Sequence, residues 1–232
     1  PDEKKLIEKI PTQNMTAYDL YLRAKEYENE YRTTLDSISY HKAAAIYKTI
    51  IELDATFAKA YTGLARANYN RYYKETYFKE NFLDSCLILA NKALSLDYNL
   101  EEAYFLLSEY FYANGQMDKA LDNIEKTLRI NPNFYSAFAL KGTILTYFQN
   151  NYIEGIKNYN KAIDLLGEIM NRPGEYAKES TWYLGLAYIK SGNKVKASEC
   201  FELLARNTGN HSSKNQFISS DPGQRDLYSQ CA

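Results

Sequence analysis

Histidine and cysteine, which carry much of enzyme chemistry, are few in this chain, and their spacing does not suit a catalytic or metal site. The histidines are His41 and His211, and the cysteines are Cys86, Cys200 and Cys231. No two cysteines have the Cys-x-x-Cys spacing of structural zinc sites, and two histidines are too few for a histidine-rich metal site. We therefore predict no metal and no cofactor.

Nucleophile–base pairs and phosphate-binding loops are also missing from the sequence. There is no glycine-rich motif of the kind that cradles phosphates. Carboxylates are plentiful, but on helical surfaces such side chains are commonly solvated or ion-paired. Cys86 and Cys200 lie within predicted helices, where a buried small residue is more common than a redox centre. We therefore predict that the chain is not an enzyme.

Composition excludes further classes of function. The formal net charge is −1, which gives no electrostatic footprint for nucleic acid. No apolar run reaches the length of a membrane span, so we predict neither a nucleic-acid partner nor a membrane segment. Only 10 glycines and 5 prolines disfavour a turn-rich all-β fold, whereas 23 tyrosines must serve packing or a binding surface.

Location is only weakly indicated. Residue 1 is proline, so we expect a fragment or a processed product. Three unpaired cysteines favour a reducing, cytoplasmic compartment, with the periplasm as the alternative if the parent protein is anchored in a membrane. The sequence leaves the partner's identity and the oligomeric state open.

Residues 101–133 show the organisation of the chain most clearly. Two amphipathic stretches meet at Asn114-Gly115, and Pro132 ends the second. Each stretch has its apolar or small residues at helical spacing. These are Tyr104, Leu107, Ser108 and Phe111 in the first, and Ala120, Leu121, Ile124 and Leu128 in the second.

The pattern has a physical cause. Antiparallel helices approach closely where side chains are small, so Ser108 and Ala120 are predicted at the crossing point. Gly115 permits a tight turn, and Pro132 cannot continue a helix. One such pair cannot bury its own apolar face, so copies must stack.

These residues resemble the tetratricopeptide repeat (TPR), whose period is about 34 residues. The resemblance implies an all-α superhelix (an α-solenoid) of about five helix–turn–helix repeats. The predicted repeats cover about 17–57, 58–100, 101–134, 135–170 and 178–209, after a helix and lead-in at 1–16 and before a polar tail at 210–232.

The first two repeats depart from the pattern. Ala24 to Ala43 is 19 positions and Ala65 to Cys86 is 21, against 12 from Ser108 to Ala120. We predict lengthened inter-helix turns there, with the extra residues extending the helices and packing on each other. The resulting aromatic shelf would place Tyr31, Ile38 and Tyr40 against Tyr72, Tyr73, Tyr77 and Phe78.

Several boundaries follow from local signals. Thr16 is predicted as the N-cap of a helix at 17–30, with Asp19 completing a capping box. Gly167 to Ala177 is predicted as a linker between the last two repeats. Short helices are predicted at 2–10 and 224–231.

In TPR arrays the first helices line a concave groove that binds extended peptides. By register, the resemblance places fourteen residues in such a groove, although tyrosines there also pack between helices. They are Tyr18, Tyr21, Lys25, Arg66, Tyr69, Asn70, Phe105, Glu109, Tyr112, Thr143, Tyr147, Trp182, Leu186 and Lys190.

The chemistry of this set indicates the kind of partner. Arg66 and Asn70 resemble half of the clamp with which some TPR proteins hold a C-terminal carboxylate. The facing Phe105, Glu109 and Tyr112 do not complete it. A groove of mixed charge with aromatic side chains favours a partly apolar peptide or a helix.

The lead-in carries a looser resemblance. Leu6, Ile7, Lys9, Pro11, Thr12 and residues 17–23 resemble the junction before the TPR region of bacterial TolB-like signalling proteins, which are associated with transcription-regulator or adenylate-cyclase domains. The resulting prediction is a non-enzymatic protein-interaction scaffold from a signalling protein. The alternative is a helical-repeat protein that binds a small molecule or glycan, with Trp182 and the tyrosines stacking on sugars.

Overall fold

A computed structural model describes residues 12–34, 36–74, 82–169 and 175–207. Within these ranges the chain forms ten α-helices and no strand, so the all-α prediction is confirmed. In chain order the helices are α1 (Met15–Thr34), α2 (Ser37–Leu53), α3 (Ala58–Lys74), α4 (Phe82–Leu96), α5 (Glu101–Ala113), α6 (Met117–Ile130), α7 (Tyr135–Tyr147), α8 (Tyr152–Ile169), α9 (Glu175–Lys190) and α10 (Lys194–Asn207).

The described residues form two compact units. Of the described residues, those up to 72 and those at 82–137 form one unit, and those at 73–74 and from 138 to 207 form the other. The first unit contains α1, α2, α4, α5, α6 and most of α3, and the second contains most of α7 together with α8, α9 and α10. Helices that are adjacent in sequence pack together: α1 on α2, α4 on α5, α5 on α6, α8 on α9 and α9 on α10.

Small side chains lie where helices of the first unit approach each other. Its main core cluster contains six alanines from three consecutive helices, because small residues let the backbones come close. These are Ala17 and Ala24 in α1, Ala43 and Ala44 in α2, and Ala60 and Ala67 in α3. Ser108 and Ala120, predicted at the α5–α6 crossing, are both fully buried.

The turns inside the later repeats use left-handed backbone. Gly115 and Gly192 have φ of 71° and 81°, a conformation that glycine adopts without steric cost. The tight turn predicted at Gly115 is therefore confirmed. Between α7 and α8 the corresponding residue is Asn150 at φ 52°, and this connection is one residue longer than that between α5 and α6.

The connection between successive repeats contains an Asx turn. Oδ1 of Asp54 accepts a hydrogen bond from the backbone N–H of Thr56 at 2.9 Å. The same contact recurs at 3.1 Å in Asp97–Asn99 and in Asn131–Asn133. This explains why Ala55 is tolerated where the repeat pattern has proline: the side chain of the preceding residue makes the turn.

The first helix begins differently from the sequence prediction. Asn14, and not Thr16, is the N-cap of α1, since Asn14 Oδ1 accepts from the backbone N–H of Ala17 at 3.1 Å. Thr12 holds Asn14 in place by accepting from its N–H at 3.0 Å, and the Thr12 hydroxyl donates to Asp54. Contacts to the end of α2 therefore decide the cap, and local sequence does not show them.

The extra residues of the first repeat extend its helices. α1 continues to Thr34 and α2 begins at Ser37, so residues 35 and 36 are the whole connection. Within the predicted shelf, Tyr31 and Tyr40 are buried and pack edge to face at 5.3 Å, whereas Ile38 is exposed. The other predicted shelf contacts, and the second repeat's connection at 75–81, lie outside the described residues.

The linker predicted at Gly167–Ala177 is shorter than expected, because α8 continues to Ile169 and α9 begins at Glu175. The predicted helices at 2–10 and 224–231 and the tail at 210–232 lie outside the described residues. No described helix is long and apolar enough to cross a membrane.

Candidate partner-binding face

The fourteen predicted groove residues divide between the two units, which are considered separately. The first unit holds Tyr18, Tyr21, Lys25, Arg66, Tyr69, Asn70, Phe105, Glu109 and Tyr112. The second holds Thr143, Tyr147, Trp182, Leu186 and Lys190.

Glu28 is the centre of a polar cluster on α1 that the sequence prediction missed. Its Oε1 accepts from the hydroxyl of Tyr47 at 2.7 Å, and its Oε2 pairs with Nζ of Lys25 at 2.5 Å. Tyr47 comes from α2 and is fully buried, whereas the Lys25 side chain is 46% exposed. Glu28 therefore links a core tyrosine to a surface lysine of the predicted groove.

Tyr21 lies beside this cluster. Its ring centroid is 5.1 Å from that of Phe57 and 6.2 Å from that of Tyr47. Burial raises the pKa of the Tyr21 hydroxyl, and the carboxylates of Glu102 and Glu28 raise it further. The predicted groove residue is thus half-buried among aromatic rings, with its hydroxyl close to acidic groups.

Glu102 of α5 is a second acidic residue that sequence reasoning missed. Its Oε2 is buried and has no hydrogen-bond partner among the described residues. Burial raises the pKa of this carboxyl, and Glu101 adds to the effect, whereas Lys59 and Lys25 oppose it. Helices α1, α3 and α5 therefore each bring a charged side chain to one face of the first unit.

A second cluster on α3 and α5 centres on Arg66. Its Nη1 lies 2.5 Å from Oε2 of Glu109, and its guanidinium lies 5.7 Å from the ring of Tyr69 and 5.3 Å from that of Phe105. Burial raises the pKa of the Glu109 carboxyl, and Arg66 opposes the increase. An arginine held by a carboxylate and two rings has a fixed position.

Two predicted lining residues of this cluster, Tyr69 and Phe105, have buried side chains. Tyr69 and Phe105 are 7% and 5% exposed, and Phe105 also packs on Phe134 at 4.9 Å. Both rings are part of the packing, and neither offers a free surface. Tyr18, Asn70 and Tyr112 keep half-buried positions on the first helices.

The second unit brings two of its predicted residues, Tyr147 and Lys190, into contact. Nζ of Lys190 lies 5.3 Å from the ring centroid of Tyr147, which packs edge to face on Tyr183 at 6.4 Å. The hydroxyl of Thr143 accepts from that of Tyr159 at 3.0 Å. Leu186 is half-buried.

Trp182 has a different orientation from the one predicted. Its ring packs edge to face on Phe201 of α10 at 5.2 Å. The side chain therefore faces the second helix of its own repeat. Register on α9 alone did not show this, because the contact depends on how closely α10 approaches at Gly185, where an added Cβ would lie 2.8 Å from the Phe201 ring.

Several solved structures resemble the chain, among them TTC0263, MamA and YrrB. TTC0263, described as a thermophilic TPR protein in Thermus thermophilus, has a TM-score of 0.61 at 13% identity, over 92% of this chain and 97% of its own. MamA 41-end from Desulfovibrio magneticus RS-1 has a TM-score of 0.54 at 18% identity, over 81% of this chain and 97% of its own. YrrB, described as a TPR protein with an unusual peptide-binding site, has a TM-score of 0.50 at 17% identity, over 90% of this chain and 93% of its own.

The chain has the TPR fold. No protein-family model and no curated protein matches it, so the likeness rests on structure and on the repeat pattern. The looser resemblance to TolB-like signalling proteins gains no support from these structures and stays a prediction.

In the TPR frame, the charged clusters of the first unit lie on first helices, where the repeat pattern leaves the residue type free. Glu28, Lys59 and Glu102 are not pattern positions, so the motif gave no signal for them. In the sequence, these three residues could be noticed only as charged residues within helices that are predicted to pack tightly.

Cys86 is fully buried, and burial raises the pKa of its thiol to about 12, so it remains protonated and a poor nucleophile at neutral pH. Among the described residues, no group of three or more histidine, cysteine or acidic side chains is arranged to hold a metal ion.

Proposed function

We propose that the chain is a non-enzymatic TPR scaffold that binds a peptide or helix of a partner protein on the first-helix face of its first unit. This face is defined by Tyr21, Lys25 and Glu28 on α1, Lys59 and Arg66 on α3, and Glu102 on α5.

The observation that carries the proposal is the convergence of charged groups from three successive first helices. Lys25 is close to half exposed, and Arg66 is 27% exposed in its ion pair. Fixed charges beside aromatic rings orient a peptide through hydrogen bonds while apolar area supplies affinity. YrrB, a protein of the same fold, is described as having a peptide-binding site.

The identity of the parent protein is a finer part of the proposal. A place in a bacterial signalling protein rests on the lead-in resemblance alone. The rival function, glycan or small-molecule binding, relied on stacking by Trp182 and the many tyrosines. The contact between Trp182 and Phe201 weakens that alternative.

Selection from random peptides tests the proposal. Phage-displayed random peptides are selected on the purified full chain, and the best binders are measured by fluorescence anisotropy. Lys25→Ala is expected to weaken them more than about fivefold, roughly 1 kcal/mol, because Lys25 is the exposed charge of the face. The control is Lys92→Ala, an equally charged exposed lysine on the second helix α4.

Two results would overturn the assignment. One is the absence of any peptide selected above background on a folded chain. The other is equal affinity for the unmodified chain, Lys25→Ala and Lys92→Ala. A hydrolytic activity that copurifies with the chain and is lost on substitution of one of its residues would contradict the non-enzymatic part.

A further inference from the structure

Two exposed aliphatic side chains of the second unit occupy the same position in successive repeats. Ile153 is the second residue of α8 and is 80% exposed, and Val195 is the second residue of α10 and is 71% exposed. The equivalent residue of α6, in the first unit, is the charged Asp118. The two repeats of the second unit therefore expose an aliphatic side chain at the same point of their hairpins.

Contacts between first and second helices bring these two hairpin turns to one edge of the unit. Nζ of Lys190, the last residue of α9, lies 5.3 Å from the ring centroid of Tyr147, the last residue of α7. Ile156 of α8 and Tyr188 of α9 pack on the same core cluster. Ile189 lies between Tyr188 and Lys190 and is 52% exposed. We call this edge the apolar tip, defined by Ile153, Ile189 and Val195.

Positive charge surrounds the apolar tip. Residues 186–198 contain no acidic residue and three exposed lysines, which are Lys190, Lys194 and Lys196. The ammonium groups of Lys190 and Lys196 lie above tyrosine rings, at 5.3 and 5.5 Å from the centroids. At the start of α8, Glu154 and Lys157 form an ion pair at 3.6 Å, so their charges cancel. The tip therefore combines aliphatic side chains with a net positive charge.

We infer that the apolar tip binds the surface of a bilayer that contains anionic lipids, with its aliphatic side chains entering the headgroup region. The apolar groups leave water there, and the lysine ammonium groups meet the lipid phosphates. The long lysine stem lets the charge stay among the headgroups while a neighbouring aliphatic side chain goes deeper. Binding of this kind needs no membrane-spanning helix.

The exposure of the tip favours a bilayer over an acidic protein as the occupant. A side chain that is 80% exposed, as Ile153 is, projects from the protein, so it inserts into its partner and does not form a pocket for one. A bilayer interface accepts such side chains without a matching cavity. This inference is independent of the proposed peptide-binding face, which belongs to the first unit.

Vesicle co-sedimentation of the full chain tests the inference. The probes are vesicles of phosphatidylcholine with about one third phosphatidylserine, and vesicles of phosphatidylcholine alone. The chain is expected to bind the anionic vesicles at least about tenfold more tightly, because its lysines are attracted to the negative surface. Added salt is expected to weaken this binding, since it screens exposed charges.

Ile153→Ser with Val195→Ser is expected to weaken binding to the anionic vesicles at least about tenfold, because two aliphatic side chains no longer leave water. Both residues are exposed, so the circular dichroism spectrum and the melting temperature are expected to stay unchanged. The matched control is Ile88→Ser with Tyr98→Ser, which removes two side chains of the first unit that are 68% and 73% exposed.

A second pair of variants tests the charges of the tip. Lys194→Glu with Lys196→Glu is expected to abolish the preference for anionic vesicles, because the reversed charges repel the lipid phosphates. The matched control is Lys48→Glu with Lys92→Glu, which changes the net charge equally at exposed lysines of α2 and α4. This control is expected to keep most of the binding.

Two outcomes would overturn the inference. The full chain could fail to sediment with the anionic vesicles, or the tip variants and their matched controls could bind those vesicles equally well. In the first case, binding of a poly-glutamate peptide that is lost in the Lys194/Lys196 variant would assign the surface to an acidic protein instead.

Discussion

A Cβ built on Gly63 of α3 would lie 2.2 Å from Cζ of Tyr47 in α2. The tyrosine ring therefore occupies the space that a side chain at position 63 would need. The ring passes this point and donates its hydroxyl to Glu28 at 2.7 Å. One glycine therefore sets the spacing of two repeats and the position of a charged group on the candidate face.

Gly63→Ala is expected to destabilise the chain by about 2 kcal/mol, because overpacking outweighs the better helix propensity of alanine. Urea unfolding followed by circular dichroism measures this. The control is Gly185→Ala, where the added Cβ would lie 2.8 Å from the ring of Phe201, which is half-buried whereas Tyr47 is fully buried. Equal changes in the two variants would contradict the role of the Tyr47 contact.

Thr146→Val is expected to stabilise the chain by about 1 kcal/mol, since the buried Thr146 hydroxyl has no hydrogen-bond partner among the described residues and valine keeps the shape. Thr127→Val is the control, because the equally buried Thr127 hydroxyl donates to the Asn123 carbonyl at 2.9 Å. That variant is expected to lose stability. Thermal melts of both variants give the comparison, and a loss in Thr146→Val would show that its hydroxyl is satisfied.

Arg66→Leu is expected to cost roughly 2 kcal/mol, because it leaves the Glu109 carboxylate, whose side chain is only 14% exposed, without its partner. The double variant Arg66→Leu with Glu109→Leu is expected to recover most of the loss, since two apolar side chains replace the ion pair. A double-mutant cycle in urea unfolding measures the coupling energy. Additive effects would mean that the pair contributes no interaction of its own.

Glu102→Gln tests the raised pKa of the Glu102 carboxyl through pH. A folded pKa above the unfolded one means that the folded state binds more protons in that interval, so stability falls as pH rises through it. Removing the charge should therefore stabilise the chain at neutral pH. The gain should disappear as pH falls below the ordinary glutamate pKa of about 4.3.

The matched control for this series is Glu52→Gln, whose side chain is exposed on α2. It is expected to change the free energy of unfolding little at either pH. Urea unfolding between neutral pH and pH 4 compares the variants. A stabilisation by Glu102→Gln that is the same across this range would show that burial of the charge is not its cause.

The sequence by itself determined the repeat architecture. The local signals are small residues such as Ser108 and Ala120, glycine at position 115 and apolar residues at helical spacing. Each is required for two helices to pack against each other, whatever the position of the pair in the fold. The number of described repeats and the turn at Gly115 could therefore be predicted without coordinates.

Only the tertiary structure decided which side chains of the first helices are available to a partner. Tyr69, Phe105 and Trp182 occupy register positions of a lining, yet neighbouring elements bury or engage their rings. Glu28 and Glu102 became part of the candidate face because Tyr47, Lys25 and Lys59 approach them from other turns and helices. The burial of a side chain and its contacts depend on several segments of the chain together. The spacing of apolar residues in the sequence therefore predicts which face of a helix a residue lies on, but not which neighbouring residues cover it.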